Sequence, residues 1–542
     1  MSFFCTLACR ASGLAPGTRR LPSQRCRRQC DLGAKVRAIA APASAIVLAA
    51  VMAVVARPAP AHAFSIDDVT ARALTLSREE YRDHRKAVPK WMLVGSMTYD
   101  QWRDIRFKPE KSLWRDEALP FQVQFFHPGL YYDRTVAINV VDENGVRPVP
   151  FDVKSFDYGK NDFAARIPKD IGYAGLRVHA PMRSKEYYDE LIVFLGATYF
   201  RALGRDNVYG LSARGIAIDT VSPTGEEFPH FVEFWLKKPA PGADHLVILA
   251  LMEGPSITGA YRFDIRPGAR TVIDVESHLF PRKAITKLGI APLTSMFFFG
   301  ESSRRRFDDF RPEVHDSDGL LLHFSSGEWL WRPLDNPKRI NASGFHMENP
   351  RGFGLLQRDR TFANYQDLET RMELRPSTWV EPKGDWGSGR VELDEIPSDT
   401  ELVDNMVAYW VPDSPPKPGQ RLDFSYTVSF FMDDPQLPPG GRVIATRQDA
   451  GAKGDTNRFV LDFTGKELNA LPDAQPPVAV ISVSPADAAD LLDHYVVRNP
   501  DTGGWRLSFQ LKKKSNVPIE LRAFLKSVAG AMTETWSYAI IE

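Results

Sequence analysis

The sequence predicts an all-β protein built from antiparallel β-sandwiches. Apolar and polar residues alternate in short runs, as at 121–125, 136–140 and 261–265. Turn-forming pairs close two of these runs, Asn-Gly at 144–145 and Pro-Gly at 267–268. Alternating runs bounded by Gly, Pro and Asn are typical of antiparallel sheets rather than of a parallel α/β fold. Sustained helical heptads, which would contradict this assignment, are absent from the sequence.

Three regions follow one another along the chain. A short helical opening over about 65–106 is followed by alternating strands, which together predict a large β domain over 64–411. Four prolines within seven residues make 412–419 a stiff, extended linker. After it, about seven strands in about 120 residues suit a small immunoglobulin-like β-sandwich over 420–542, without the usual cysteine pair.

The composition is that of a globular chain, and its charge is unevenly placed. The 542 residues are 43% hydrophobic and 25% charged, which excludes a largely disordered protein. The 68 basic and 68 acidic residues balance, but nine basic residues and one acid lie in residues 1–63. Residues 64–542 therefore hold 59 basic and 67 acidic residues, a net charge of −8. An acidic body argues against nucleic acid or an anionic membrane surface as a partner.

Residues 1–63 have the pattern of a signal peptide. A basic stretch precedes the uncharged run 38–56, and an A-x-A site follows at 61–63. We expect cleavage before Phe64, export, and no stable membrane insertion after cleavage. The alternative is an uncleaved anchor, because nineteen residues can just span a bilayer. Prolines beside the A-x-A site favour cleavage.

Motifs for a cofactor or a metal are not found. All four cysteines lie in the leader, so the body has neither a disulfide nor a thiolate metal site. The run 210–215 misses the G-x-S-x-G serine elbow by one position. The run 316–319 starts like a calcium loop, but Leu320 stands where an oxygen ligand is needed. We therefore predict no cofactor and no metal.

Aromatic and acidic residues are concentrated before the linker. Sugars present flat C–H faces to aromatic rings, and hydrolysis of a glycosidic bond needs two carboxyl groups. The alternative is that the aromatics fill a sandwich core while the acids pair with arginines on its surface. The residues that this pattern singles out are Trp329, Trp331, Trp379, Trp386, Trp410, Glu328, Asp316, Asp318, Asp404 and Arg375.

Seven long motifs make the body recognisable. They occupy residues 194–203, 209–215, 291–297, 311–320, 327–334, 352–360 and 375–382. With these motifs, residues 64–542 closely resemble the bacterial periplasmic glucans biosynthesis protein G/D family. The resemblance implies a galactose-mutarotase-like β-sandwich domain joined to a small immunoglobulin-like domain. It also implies a periplasmic role in making osmoregulated periplasmic glucans, with β-1,2-glucan and a membrane glucan glucosyltransferase as partners.

The resemblance further implies an inverting β-1,2-glucanase and assigns its residues. Asp404, within the stretch 403–405, is the implied general acid. Asp316 is the implied general base, which would act through a chain of water and substrate hydroxyls. We expect Arg375 beside Asp316 to keep it ionised, and Met406 and Trp410 near Asp404 to desolvate it. The expected substrate-binding residues are Arg375, Trp329, Trp331, Trp379, Trp386, Glu328 and Asp318.

One position departs from the family pattern. Before Arg-Pro-Ser the family usually carries tyrosine, where this chain has Met372. If that hydroxyl passes protons or binds glucose, its loss slows or reroutes the reaction. Three functions therefore stay open: a glucan-cleaving or remodelling enzyme, a non-catalytic glucan-binding factor beside the glucosyltransferase, and a sugar-modifying or transglycosylating enzyme. Nothing in the immunoglobulin-like region suggests chemistry, so we expect it to serve interaction.

Overall fold

The computed structural model describes residues 63–83, 88–303, 306–451 and 456–541. The predicted signal peptide lies outside these residues, apart from Ala63. Among the described helices, none has both the length and the apolar character needed to cross a membrane.

Helices are short and few in the described part of the chain. The first begins at Ser65, whose hydroxyl accepts a hydrogen bond from the Asp67 N–H at 3.2 Å. The Asp68 carboxylate accepts the Ser65 N–H at 2.7 Å in return, which completes a capping box. The α-helices are α1 (Ile66–Ser77), α2 (Tyr99–Arg103), α3 (Phe362–Tyr365) and α4 (Lys466–Asn469), and the 3-10 turns are Lys90–Met92, Pro109–Lys111, Val153–Ser155, Ala164–Arg166 and Met372–Leu374.

Strands make up most of the ordered elements, which confirms the all-β prediction. In chain order they are β1 (Arg106–Phe107), β2 (Gln122–Phe126), β3 (Ala137–Asp142), β4 (Gly145–Pro148), β5 (Phe156–Asp157), β6 (Gly175–Ala180), β7 (Asp189–Leu195), β8 (Tyr199–Ala202), β9 (Ser212–Arg214), β10 (Ile216–Ile218), β11 (His230–Lys237), β12 (Leu246–Glu253), β13 (Ile257–Arg266), β14 (Thr271–Pro281), β15 (Leu288–Ser295), β16 (Phe297–Phe299) and β17 (Val314–His315). They continue with β18 (Gly319–His323), β19 (Trp329–Pro333), β20 (Asn341–Glu348), β21 (Gly352–Leu356), β22 (Ser377–Lys383), β23 (Ser388–Glu395), β24 (Met406–Pro412), β25 (Leu422–Phe431), β26 (Arg442–Asp449), β27 (Asn457–Thr464), β28 (Val478–Ser484), β29 (Ala489–Asn499), β30 (Gly504–Lys513), β31 (Ile519–Ser527), β32 (Gly530–Ala531) and β33 (Thr535–Ile540).

Two large sheets form the main sandwich. The ten-stranded sheet runs β2-β6-β7-β8-β9-β15-β24-β23-β20, with β10 paired to β15. The fifteen-stranded sheet runs β28-β31-β33-β19-β18-β21-β22-β25-β14-β13-β12-β11-β3-β4, with β32 paired to β31. Their inner faces meet through aromatic rings, as between Phe194 of β7 and Phe263 of β13, whose centroids are 5.1 Å apart. On the far side of the larger sheet, α1 packs against β12–β14 through Val69 and Ala73.

A smaller sandwich forms near the end of the chain. The four-stranded sheet β26-β27-β30-β29 faces strands β31 and β33 across an aromatic core. In that core Phe459 stacks on Phe509 at 5.3 Å, and Trp536 meets both rings edge-on. The region is therefore a β-sandwich without a disulfide, as the alternation in the sequence predicts.

The first strand after the proline-rich linker belongs to the large sheet. The sequence analysis assigned 422–431 to the small domain, but β25 pairs with β14 on one side and with β22 on the other. The physical reason is that its alternate residues Tyr426, Val428 and Phe430 fill the core between the two large sheets. Strand pairing thus continues across 412–419, and the division into two domains at that linker stays a prediction.

Candidate functional site

A cavity of about 650 Å³ lies on the outer face of the ten-stranded sheet. Successive side chains of a strand point to opposite faces, so each strand here serves both the core and the cavity. Phe194 of β7 lies in the core between the sheets, while its neighbours Val193 and Leu195 line the cavity. On β8, Tyr199 and Arg201 line the cavity in the same way.

Tyrosines and charged groups dominate the cavity wall. Glu190 accepts hydrogen bonds from the Arg177 guanidinium at 2.9 Å and from the Tyr209 hydroxyl. Burial and the nearby Glu190 charge raise the pKa of Tyr209 well above its usual range. Further aromatic rings on the wall are Phe126, Tyr131, Tyr132 and Phe228. Rings that present apolar faces beside polar groups that fix orientation are what a sugar-binding cavity requires.

Asp404 lies on this wall, just before β24. Its side chain is 30% exposed and forms an ion pair with Arg201 at 3.4 Å. The next residue, Asn405, is buried and fixes the segment through the backbone of Phe297, accepting from its N–H at 2.9 Å and donating to its C=O at 3.0 Å. Asn405 also donates to the Ile396 carbonyl at 3.0 Å. The carboxylate is therefore held by the backbone beside it while its oxygens reach the cavity.

Asp316 is more deeply buried than Asp404. It follows β17, and its N–H donates to the Met296 carbonyl at 2.8 Å. Its side chain is 7% exposed and forms an ion pair with Arg375, which is the contact that the sequence analysis expected. Arg375 in turn packs against Gly210, where an added Cβ would approach the Arg375 Cβ to 2.9 Å.

Arg375 connects the surroundings of the two carboxylates. Burial lowers its pKa to about 10, while the negative charges of Glu401 and Asp404 act in the opposite direction. The guanidinium therefore lies within the electrostatic reach of Asp404 while it pairs directly with Asp316. Asp316 and Arg375 are therefore a direct pair, and the charge of Asp404 acts on that pair from the cavity wall.

A second titratable group lies beside Asp316. Glu313, His315 and Asp318 place one ligand atom each within 4.8 Å of one another, which among the described residues is the arrangement that could hold a metal ion. His315 Nε2 already bonds the Glu313 carboxylate at 2.8 Å and lies 3.6 Å from Asp318. Burial disfavours the imidazolium, but these carboxylates outweigh burial and raise the pKa of His315 to about 9. The imidazolium of His315 therefore supplies one positive charge beside these two carboxylates.

The tryptophans singled out in the sequence are not among the residues that line this cavity. Trp331 and Trp379 are 3% and 1% exposed and pack into the core of the small sandwich. Trp386 is 6% exposed in the core between the large sheets. Trp329 stacks between His323 and Trp379. Because their ring faces are covered by protein, these residues do not offer a platform for a sugar, and the core-filling alternative describes them better.

Several other expected neighbours also lie elsewhere. Glu328 pairs with Arg522 and accepts the Thr535 hydroxyl at 2.7 Å, so it joins β19 to strands near the end of the chain. Met406 and Trp410 both point into the inter-sheet core. Met372 is 1% exposed within an apolar cluster, so its side chain does not reach the cavity. Asp318 accepts the Asp359 N–H at 2.9 Å, apart from the cavity lining.

The cavity residues that composition missed were present in the recognised motifs. Tyr199 and Arg201 lie in the motif 194–203, and Tyr209 lies in the motif 209–215. A clustering of tryptophans did not point to this cavity, because such rings fill cores as well as sites. The better signal was the strand alternation that places Tyr199 and Arg201 opposite Phe200.

Fold and site define a β-sandwich protein with an open, tyrosine-lined cavity. The chain belongs to the family described as periplasmic glucan biosynthesis protein, MdoG, whose family model matches residues 64–540. Proteins of this family are periplasmic, as that description states.

Two further similarities were found. The chain is 47% identical over 489 residues to glucans biosynthesis protein G of Ralstonia nicotianae, covering 88% of this chain and 96% of that protein. A galactose mutarotase related enzyme from Lactobacillus acidophilus matches 43% of this chain and 95% of its own, at 7% identity and a TM-score of 0.19. A TM-score that low carries no argument, so the mutarotase-like topology rests on the sequence resemblance alone.

Proposed function

We propose that the cavity binds β-1,2-glucan and that the protein cleaves or remodels its backbone by inverting acid/base hydrolysis. The observation that supports this most is a carboxylate, Asp404, on the wall of a tyrosine-lined cavity with a second carboxylate held nearby through Arg375. Asp404 is the general acid, which protonates the glycosidic oxygen. Asp316 is the general base, and Arg375 keeps it ionised.

The base must act at a distance in this mechanism. Asp316 is nearly covered and does not line the cavity. A water and substrate hydroxyls would therefore carry the proton from the attacking water to Asp316. The substrate supplies part of the catalytic path, so a correctly bound chain is required for turnover.

The second candidate function is a non-catalytic glucan-binding factor that acts with the membrane glucan glucosyltransferase. The observation that favours it is Met372, which replaces a hydroxyl with an apolar side chain inside a buried cluster. In that case the cavity would hold the polymer without cutting it.

One incubation separates the two functions. The exported protein and its Asp404→Asn variant are each mixed with β-1,2-glucan, and the products are resolved by chromatography. Shorter glucooligosaccharides from the wild type alone support the enzyme and its acid, because an amide fills the same space but cannot donate a titratable proton. An intact polymer that co-elutes with both proteins supports the binding factor. A polymer that neither binds nor shortens refutes both.

A further inference from the structure

Three large hydrophobic residues stand out into solvent near the site. Leu402 is 82% exposed, Phe310 is 80% exposed and Leu368 is 78% exposed. Among the exposed large hydrophobic residues of the described chain, only Val528 exceeds them. Single exposed apolar side chains are common, whereas a group of them in one region marks an interaction surface.

The guanidinium of Arg311 bonds three carboxylates close to these residues. Arg311 donates to Asp309 at 2.8 Å, to Asp367 at 2.8 Å and to Glu401 at 2.9 Å and 3.0 Å. The five N–H groups of an arginine allow it to join several carboxylates in fixed directions. Three segments distant in sequence are thereby fastened at one point.

Each of these carboxylates is the chain neighbour of one exposed hydrophobic residue. Asp309 precedes Phe310, Asp367 precedes Leu368, and Glu401 precedes Leu402. The ionic contacts around Arg311 therefore bring the three segments that carry these exposed side chains to one region of the protein. We call this surface, Phe310, Leu368 and Leu402, the apolar rim.

The apolar rim is continuous with the proposed site. Leu402 lies two residues before Asp404, in the same turn that leads into β24. The neighbouring Glu401 charge acts on Arg375, the partner of Asp316. The rim thus borders the place where a polymer would leave the cavity.

The charges around the apolar rim indicate which kind of partner can bind there. Exposed acids lie close in sequence to each member, Asp308 before Phe310, Glu369 after Leu368 and Asp399 before Leu402. An anionic lipid surface would be repelled by them. A second copy docked through the same patch would set acids against acids, since a two-fold contact pairs a surface with itself. A neutral polysaccharide meets no such repulsion, and its hydroxyls can donate to the carboxylates.

We propose that the apolar rim is a second contact site for the glucan, on which the chain continues after it leaves the Asp404 cavity. This inference rests on the proposed function. A cavity of about 650 Å³ encloses only a few glucose units, so a longer polymer has to cross its edge. There the C–H faces of the sugar rings pack on Phe310 and the leucines while hydroxyls reach the nearby acids. The rim therefore makes binding depend on chain length.

The test compares a long ligand with a short one. The protein is produced from its full-length gene, purified after export, and carries Asp404→Asn so that no cleavage disturbs binding. Calorimetry measures its dissociation constants for β-1,2-glucan polymer and for the β-1,2-linked glucose trisaccharide. A triple variant, Phe310→Ser with Leu368→Asn and Leu402→Asn, should bind the polymer on the order of tenfold more weakly, since contacts of this size at a binding surface carry that much affinity. Its affinity for the trisaccharide should stay unchanged.

A matched control carries Val478→Ser, Leu492→Asn and Val528→Ser, which remove exposed apolar side chains from the strands and turns near the end of the chain. It should bind both ligands as the parent does. If the rim variant binds the polymer as tightly as the parent does, the rim is not a glucan contact site, while the proposed function of the cavity is unaffected. A parent that binds neither ligand would overturn the proposed function and this inference with it. A parent dimer that the rim variant turns into a monomer, seen by sedimentation with unchanged polymer affinity, would assign the rim to a second copy instead.

Discussion

Asp404 and Asp316 are the same chemical group in two opposite settings. The side chain of Asp404 is 30% exposed on an open cavity and forms an ion pair with Arg201, with 3.4 Å between the nitrogen and oxygen atoms. Asp316 is 7% exposed and is paired directly with Arg375. The first carboxylate can be reached from the cavity. The second is part of the protein's interior, so its charge and the stability of the fold depend on one another.

This difference separates a carboxylate that can contact a ligand, Asp404, from one whose charge contributes to the stability of the fold, Asp316. In the proposed mechanism the acid protonates the substrate directly and has to be reachable, whereas the base receives its proton through water and has to be ionised beforehand, which a fixed countercharge favours. Substitutions at the two positions should therefore fail in different ways. The predictions below use that contrast.

The largest effect on turnover is expected at Asp404. Asp404→Asn should lower glucan cleavage by about 10²–10⁴-fold, since that is the range for loss of a positioned acid. The melting temperature should hardly change, because the side chain is partly exposed and makes one ion pair. Initial rates and thermal unfolding measure the two quantities. Glu190→Gln is the matched control in the same cavity, and it should weaken binding more than turnover. A cleavage rate at the wild-type level in Asp404→Asn would remove the acid assignment.

At Asp316 we expect a large loss of stability together with the loss of activity. Asp316→Asn leaves the buried Arg375 without its countercharge, and breaking such a pair costs about 3–5 kcal/mol. Urea unfolding of the variant beside Arg375→Met and the double variant measures the coupling between the two residues. If the two single losses simply add in the double variant, the pair is not coupled and the contrast with Asp404 disappears.

The raised pKa of the buried His315 predicts that the free energy of unfolding depends on pH. The folded pKa of His315, about 9, lies above its ordinary value of 6.5 because Glu313 and Asp318 hold the imidazolium. Its stabilising effect is therefore complete below pH 6.5 and is lost as the pH rises through 9. The loss amounts to on the order of 3 kcal/mol over that window. Urea unfolding at pH 6 and at pH 9.5 should show this decline in the wild type and a smaller decline in His315→Gln. Equal declines would show that His315 carries no such charge.

A smaller effect on turnover is expected from Arg311, which fastens the segments around the open site. Arg311→Lys keeps the charge but cannot bond three carboxylates at once. We expect cleavage of the polymer to fall about tenfold, as loosened positioning does. Affinity for the short trisaccharide should be retained. Steady-state rates together with calorimetry separate the two, and a loss of trisaccharide binding would point to a collapsed cavity.

The smallest effect on binding is expected at the buried tryptophans. Trp331→Phe removes part of a ring that packs on Arg358, with 3.6 Å from the guanidinium carbon to the ring centroid. Stability should fall by about 1–3 kcal/mol, while the affinity for glucan stays unchanged. Weaker glucan binding in a folded Trp331→Phe protein would restore the sugar platform that the sequence suggested.

The sequence predicted the positions of the strands better than it predicted their pairing partners and the contacts of their side chains. The alternation at 121–125 and 261–265 corresponds to β2 and β13, because local sterics and burial on one face are enough to define a strand. Strand 422–431 pairs with β14 and β22 of the large sheet, a partnership that local sequence does not reveal because pairing depends on contacts distant in sequence. Trp379 looked like a ligand platform for the same reason: burial depends on which surface covers the ring. The proximity of Arg375 to Asp316 could be proposed from the family motifs, while the ring of tyrosines required the folded sheet.

The parallel pairing of β33 with β19 has a consequence for the order in which the protein is made. Thr535 pairs with Leu330 and Trp536 with Trp331, so β19 has no neighbour on that side until residues 535–540 have been synthesised. Throughout that interval an unpaired strand edge is available to other chains. A chain shortened before Glu534 would keep that edge open permanently and leave Arg358 without Glu534, its partner at 2.5 Å. Such a product should therefore accumulate as aggregate or be degraded, even though every residue of the cavity is present in it.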